Sequence, residues 1–520
     1  DADVLERSEQ FLAMHASRGL RTLCLAARTL STEEEEMVIQ EADRLKGAVD
    51  GGVGLVKLAL QVEVNLRFVG TTAIEDRLAK GVPEAIAALQ NAAMRIWVLT
   101  GDKMETAVCI ARTTNLVRPG APLCYIVGEE PESIQTQLEG AMGQISAVKS
   151  NEHSSVSSKH EAAQALLVVD GQTVETMFSQ ANSKLASTFL SVAASCSSVV
   201  VCRASPLHKA QLVVDVRKHF PKVVTAAIGD GANDVGMIRV AHVGIGIIGR
   251  EGRQAMMASD FALPTFATIK TLVLAHGHWC YDRNTRVILV MLFKNALLTL
   301  SLYFYQWACG FSTAFTPTDW LMMAYNILFT GLQPVVVGFL DQDVSRQALL
   351  ENPQLFRQGP RGALYSRKLF VLAMAEAAYM GLVCFWVPAQ VIRFAESGGG
   401  HEVLGYFQYT GIIFCVNAYI AITTKHWTLV HLAAMAVSVV CYFPFCLFLS
   451  AYGFGGRGAP EIVFVDPIFW ITMVLTVLLA LLPRFVIMAF QQSCQPTDIQ
   501  ILREGRSLPA LMPACEAKTE

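Results

Sequence analysis

The sequence predicts an α/β domain built on a doubly wound parallel sheet, followed by an α-helical membrane domain of six spans. Apolar strands alternate with helical segments as far as about residue 285, the pattern of a parallel sheet covered on both faces. Six apolar segments follow, each near the ~20 residues needed to cross a bilayer. Composition shifts between the halves: most acidic and basic residues precede Arg286, and long stretches after it carry almost no charge. The 520-residue chain is 53% hydrophobic, 16% charged and has a mean hydropathy of +0.40, too apolar for a wholly soluble protein. A net charge of −3 gives no sign of a nucleic-acid partner. The 13 cysteines are scattered, with no CxxC pair, so neither a disulfide framework nor a zinc site is expected. The opening "DADVLERSEQ" has no initiator Met and no signal-peptide pattern, and reads as the interior of a longer protein.

In chain order, residues 19–27 read as a strand, and the acid run Glu33–Glu36 opens a solvated helix. Residues 82–94 form a helix with Pro83 in its first turn, leading into strand 95–99 and then "TGDKMETA". Residues 118–160 have weak periodicity and many Ser, Glu, Gln and Gly residues, so a surface insertion is expected. Strand 166–169 ends in Asp-Gly, helix 183–194 leads to strand 199–202, and "RASPLHKAQLVVDVRKHF" is a turn opening a helix. The apolar run 223–228 then stops at Gly229-Asp230-Gly231, with a second carboxylate, Asp234, four residues after the first.

That last segment is the most informative. A buried strand opening into a glycine turn is where ligands collect in open α/β sheets. Two acids presented there suit a hard cation; Mg²⁺ prefers one or two carboxylates completed by water and phosphate oxygens. Two further strand ends carry matching chemistry. Thr100, Gly101 and Asp102 offer a hydroxyl, a close backbone approach and an acid, and Lys209 stands at a helix start behind Ser205-Pro206. Alone, Thr100 reads as a strand-end residue and Lys209 as a solvated helix lysine. Together with a metal held by Asp230 and Asp234, they are the parts that spread charge in phosphoryl transfer.

"TGDKMET", "CRASPLHKA" and "GDGANDVGMI" resemble the phosphorylation-domain signatures of P-type ATPases, whose catalytic domain has the haloacid-dehalogenase-like fold. "GTTAIEDRLAKGVPEAI", "IWVLTGDKMETA" and "LFKNALL" narrow the resemblance to the type IV subfamily, the phospholipid flippases. It implies that residues 1–68 end a nucleotide-binding domain and 69–285 are the C-terminal part of the phosphorylation domain. Residues 286–490 would then be six spans, and 491–520 a cytosolic tail. It implies that Arg21, Thr100, Gly101, Asp102, Arg203, Lys209, Asn233 and Asp234 contact ATP or phosphate, and that Asp230 and Asp234 hold Mg²⁺. Thr100, Lys209, Asp230 and Asp234 are the residues expected to carry catalysis. The resemblance also implies a two-span glycosylated accessory β-subunit, and a plasma or Golgi/endosomal membrane of a eukaryotic cell. The family's DKTGT segment with the phosphorylated aspartate, its DGET loop and its first four spans are not in this sequence, which therefore reads as the C-terminal half of a flippase. These 520 residues alone are expected to form no acid-stable phosphoenzyme; acid-stable ³²P from ATP mapping inside them would contradict that.

The spans are expected at 287–310, 320–340, 369–392, 404–424, 429–452 and 464–490, with Pro444 and Pro483 interrupting the last two. Basic residues concentrate between the second and third spans (Arg346, Arg357, Arg361, Arg367, Lys368) and in the tail (Arg503, Arg506, Lys518), which places these and the N-terminal half in the cytosol. The first two spans contain no acid, whereas a cation pump needs oxygen ligands at the midplane. They carry Lys294, some 12 Å beyond Arg286 by helical rise. A lysine there costs roughly 2.5–3.5 kcal/mol on insertion scales, so a function is expected: attracting a lipid phosphate or carboxylate, or standing in for a transported cation. Lys294, Asn295 and Asn326 are the expected lipid-path residues, and the expected substrate is a phospholipid of the bilayer. Glu376 in the third span is read as a helix–helix hydrogen bond, and Gln333 departs from the proline or apolar residue the resemblance leads one to expect. Two readings compete with a flippase: a cation-transporting P-type ATPase, and a truncated non-enzymatic membrane protein.

Overall fold

The computed structural model describes residues 2–17, 20–46, 51–74, 78–117, 120–152, 165–179, 182–249, 252–362, 364–394, 400–454 and 458–504. The chain divides into two compact units, Asp1–Gln90 with Met94–Ile269, and Asn91–Ala93 with Lys270–Glu520.

The first unit opens with helix α1 (Ala2–Ser17), strand β1 (Arg21–Ala27), helices α2 (Thr32–Lys46) and α3 (Gly51–Val62), and strand β2 (Arg67–Ile74). β1 and β2 pair antiparallel, from Arg21 opposite Ile74 to Ala27 opposite Arg67. The boundary expected at residue 68 therefore falls inside β2. Helix α4 (Val82–Asn91), strand β3 (Ile96–Leu99), helix α5 (Met104–Thr113), strand β4 (Leu123–Ile126) and helix α6 (Pro131–Glu152) follow. Next come β5 (Leu166–Asp170), α7 (Gly171–Phe178), α8 (Ser183–Ser195), β6 (Ser198–Cys202) and α9 (Pro206–His219). The unit closes with β7 (Ala226–Gly229), α10 (Val235–Val240), β8 (Val243–Ile247), α11 (Gln254–Met257) and β9 (Phe261–Leu263).

β3, β6, β5 and β4 form a parallel sheet in that order, and β7, β8 and β9 form a second one. The alternation of β5 shows why the first is doubly wound. Leu166 and Val168 face a core with Ile86, Ala107 and Leu116; Leu167 and Val169 face another with Ile134, Leu138 and Phe189. Strands buried on both faces are apolar throughout, as the sequence of β5 is. The single sheet expected from the sequence is two sheets among the described residues, with β3 and β7 each an edge.

The segment 118–160 is not only a surface insertion. It supplies β4, paired with β5, and α6, which buries Ile134, Leu138, Ala141 and Ile145. A four-residue strand is too short to show a period, and the apolar stripe of α6 is diluted by Ser, Gln and Glu. Residues 118–119 and 153–160 of that segment lie outside the described residues.

In the second unit, helix α12 (His278–Ala308) forms the main part of the first span. The second span is α13 (Asp319–Ala324), a π-turn at Tyr325–Phe329 and α14 (Leu332–Leu340). Helix α15 (Arg346–Glu351) precedes the third and fourth spans, α16 (Arg367–Phe394) and α17 (His401–Thr423). The fifth is α18 (Leu429–Val440) with α19 (Tyr442–Ala451); then come α20 (Ala459–Val465), the sixth span α21 (Pro467–Cys494) and α22 (Asp498–Arg503). All six are long and apolar enough to cross a membrane. The first unit ends at Ile269 rather than at 285, because the helix leading into the first span begins well before the apolar run. Pro444 follows the break at Cys441, whereas α21 continues through Pro483. Helix α17 is central, burying Tyr409, Ile412, Ile413 and Val416 against α16, α18 and α21. Leu292, Trp307, Ile327, Leu478 and Phe485 face outward and exposed, as lipid-facing side chains do.

Candidate functional site

The polar groups expected to meet phosphate gather at the C-terminal ends of β3, β5, β6 and β7. Backbone bonds weld the first of these turns together: Thr100 N donates to Val201 O (2.9 Å), Ala204 N to Thr100 O (2.8 Å) and Arg203 N to Asp102 O (3.0 Å). The Thr100 hydroxyl donates to Asp102 Oδ2 (2.9 Å) and accepts from Asp102 N (3.1 Å). Arg203 adopts φ +49°, a left-handed turn that a non-glycine residue enters only at a cost. Gly171 makes room for it, since a Cβ there would lie 2.4 Å from Arg203 O.

Ser205 then caps α9, its hydroxyl accepting from His208 N (3.2 Å), with Pro206 in the first turn. This cap fixes the helix start that carries Lys209. Lys209 Nζ donates to Asp234 Oδ1 at 2.9 Å, with both side chains mostly buried. The pair joins α9, which follows the first sheet, to the turn after β7. Gly229 permits it: a Cβ on Gly229 would stand 2.3 Å from Asp234 Cβ, so only glycine lets that carboxylate fold over the strand end. Gly229→Ala is therefore expected to displace Asp234 and destabilise the unit by about 1–3 kcal/mol, the usual range for overpacking. A thermal midpoint unchanged from wild type would contradict this.

Thr100, Asp102 and Arg203 are thus tied in one turn with Gly101 between them, and Lys209 and Asp234 are tied to each other across the start of α9 and the turn after β7. Asp230 and Asn233 lie on that last turn but are exposed. Arg21 belongs to the separate β1–β2 ribbon, and its side chain lies outside the described residues. The sequence reading missed Asp170, whose carboxylate caps α7 by accepting from Gln172 N (3.3 Å) and stands 3.9 Å from Arg203. Its signal was the Asp-Gly ending β5, akin to the Gly and Asp residues at the ends of β3 and β7. Burial first, then the charges of Asp170 and Glu105, push the thiol of Cys202, beside it, up to about 12.

Asp230 and Asp234, the two carboxylates expected to share a divalent cation, stand in the same turn after β7, and Lys209 already occupies Asp234 Oδ1. Among the described residues no group of three or more His, Cys, Asp or Glu side chains is placed to hold a metal, so further oxygens must come from water, phosphate or another segment.

In the membrane unit, Lys294 is 1% exposed. Its ammonium donates to Asn326 Oδ1 (2.7 Å) and Thr330 Oγ1 (3.1 Å) and lies 5.4 Å from the Tyr325 ring centre. These partners sit where the second span loses α-helical winding. Tyr325 OH donates to Lys294 O (2.8 Å), and Asn417 Nδ2 donates to Phe329 O (3.2 Å), satisfying a carbonyl at the break. Gly331 allows the chain to turn there, since a Cβ would meet Asn326 O at 2.2 Å. Lys294 and Asn326 are brought together. Asn295 is exposed, because adjacent helical residues point about 100° apart. Glu376 joins helices: its carboxylate pairs with Arg484 (3.2 Å) and accepts from Tyr419 OH (3.3 Å).

Comparison with known sequences agrees with this pairing of units. Residues 256–497 match the C-terminal family of phospholipid-translocating P-type ATPases, and residues 83–255 match haloacid dehalogenase-like hydrolases. The chain is 36% identical over 515 residues to the mouse protein named phospholipid-transporting ATPase VD, covering 95% of this chain and 36% of that one. It is 35% identical over 527 residues to human phospholipid-transporting ATPase VA, covering 96% and 35%. To the Macaca fascicularis phospholipid-transporting ATPase VD it is 35% identical over 492 residues, covering 93% and 72%. The chain spans about a third of the length of the mouse and human relatives.

Proposed function

This chain belongs to the phospholipid-translocating P-type ATPase family, and from that premise we propose that it serves ATP-driven movement of phospholipid from the exoplasmic to the cytosolic leaflet. The observation that carries the reading is the Lys209–Asp234 pair, which joins the helix after β6 to the turn after β7, with Thr100 at the end of β3 and Asp230 at the end of β7.

In this reading an aspartate on the DKTGT segment of the full-length enzyme attacks the γ-phosphorus of ATP. The bond to the β-phosphate oxygen breaks, ADP leaves, and water later cleaves the acyl phosphate. Lys209 neutralises charge on the transferred group, the Thr100 hydroxyl turns from Asp102 to donate to a phosphate oxygen, and Asp102 and Arg203 hold the turn that presents it. Asp230 and Asp234 would hold Mg²⁺, which when bound supplies positive charge to the phosphate oxygens. Asn233 and Arg21 enter the reading as nucleotide contacts, and ATP as the phosphoryl donor. In the membrane, Lys294 and Asn326 meet the lipid headgroup at the break in the second span, and exposed Asn295 is left outside that contact.

The chain is an integral membrane protein by the six apolar helices among its described residues and by its family. A plasma or Golgi/endosomal membrane and a two-span glycosylated accessory subunit belong to the proposal. A cation pump is disfavoured because the apolar stretches 287–310 and 320–340 hold no acid and Glu376 is taken by Arg484. Full-length protein reconstituted with its accessory subunit is expected to move a fluorescent phospholipid inward only with ATP and Mg²⁺. ATP-driven uptake of an inorganic cation, with no lipid movement, would overturn the reading.

A further inference from the structure

Gln333 and His431 line one small cavity and carry buried polar atoms that the transport reading leaves unused. Gln333 is 5% exposed and His431 4%, both within membrane spans. Their side-chain Nε2 atoms are buried and have no hydrogen-bond partner among the described residues. The two side chains line one small cavity between α14, the end of α17 and α18, walled by Val336, Val337, Ile420 and Trp427. Leaving two such groups unpaired costs about 1–3 kcal/mol each, so something must answer them.

The cavity's size and its donors decide what. Its volume is about 10 Å³, room for one water molecule and for nothing larger. A lipid phosphate or carboxylate does not fit, and a metal cation would need several oxygen ligands that these two nitrogens do not provide. We propose that a single water molecule is bound here, bridging Gln333 Nε2 to His431 Nε2 and tying the lower half of the second span to the fifth. The Gln333 amide donates to the water oxygen. The role of His431 Nε2 follows from its other nitrogen, which lies 2.8 Å from Thr428 Oγ1. If Nδ1 donates to Thr428, Nε2 accepts from the water; if Nδ1 accepts, Nε2 donates to it. Water serves either tautomer, and it also serves the amide turned over, because it both donates and accepts. The bridge gives Gln333 a place in the fold: an amide facing α18 where an apolar residue would leave His431 unanswered.

The test uses the full-length protein in detergent or a lipid nanodisc. A density map fine enough to show other buried waters should carry a peak within roughly 2.7–3.2 Å of both nitrogens. Gln333→Leu should lower the apparent thermal midpoint by a few degrees, because it strands His431. Adding His431→Leu to it should lower the midpoint no further, since both changes remove the same bridge. No peak at that site, or a Gln333→Leu midpoint equal to or above wild type, would overturn the proposal.

Discussion

Asp230→Asn in the full-length enzyme is expected to reduce Mg²⁺-dependent phosphorylation by ATP on the order of 100-fold or more, while the protein still folds and reaches its membrane. The size follows from losing one preorganised charge contact to a transferring phosphoryl group in a site where such contacts are worth most. The sparing of the fold follows from the position. Asp230 is exposed at the end of β7, and exchanging one carboxylate oxygen for an amide nitrogen scarcely changes volume, so the stability change should stay within about 0.5 kcal/mol. Lys209→Ala should give a loss of similar order for a different reason, the loss of a cation from the phosphate. It should also cost some stability, because Asp234, mostly buried, loses its partner at 2.9 Å. Lys209→Met keeps the stem and separates the two effects: stability should recover in part, phosphorylation should not. Phosphorylation by ATP near the wild-type level in either Asp230→Asn or Lys209→Ala would remove that residue from the site.

Lys294→Ala should raise the phospholipid concentration needed for half-maximal dephosphorylation by about tenfold, the equivalent of one charge-assisted hydrogen bond. Phosphorylation by ATP should change much less, since Lys294 belongs to the membrane unit. The ammonium has two possible duties, and the variants distinguish them. If it only braces the break in the second span through Asn326 and Thr330, Lys294→Arg and Lys294→Ala should lose stability and leave the lipid dependence alone. If it also meets the headgroup, Lys294→Arg should keep much of the lipid response and Lys294→Glu should be worse than Ala, because it reverses the field that the headgroup meets. Unchanged lipid dependence in both Ala and Glu variants would take Lys294 off the transport path.

What the sequence could and could not disclose follows from the range of each signal. Six spans were legible because crossing a bilayer demands ~20 apolar residues in a row, a constraint written locally. The strand ends at Thr100 and Asp230 were legible because buried parallel strands are apolar runs stopped by glycine. β4 was not, since four residues carry no period and its partner β5 lies far along the chain. Arg484 as the partner of Glu376 was equally hidden, at a separation of 108 residues. Asn295 was grouped with Lys294 by adjacency, whereas the helix turns it to the exposed side. The break in the second span was not foreseen: the contacts at Tyr325–Phe329 come from Lys294 and Asn417 on other spans.

The central claim is that a phosphorylated intermediate built around Asp230, Asp234 and Lys209 is discharged by lipid. The most direct measurement is the decay of acid-stable ³²P-phosphoenzyme in the full-length protein with its accessory subunit, followed as phospholipid and then Na⁺, K⁺ or Ca²⁺ are added. The account predicts saturable acceleration of decay by a phospholipid headgroup and no specific saturable effect of any of the three cations. Decay that answers to a cation and ignores phospholipid would contradict it.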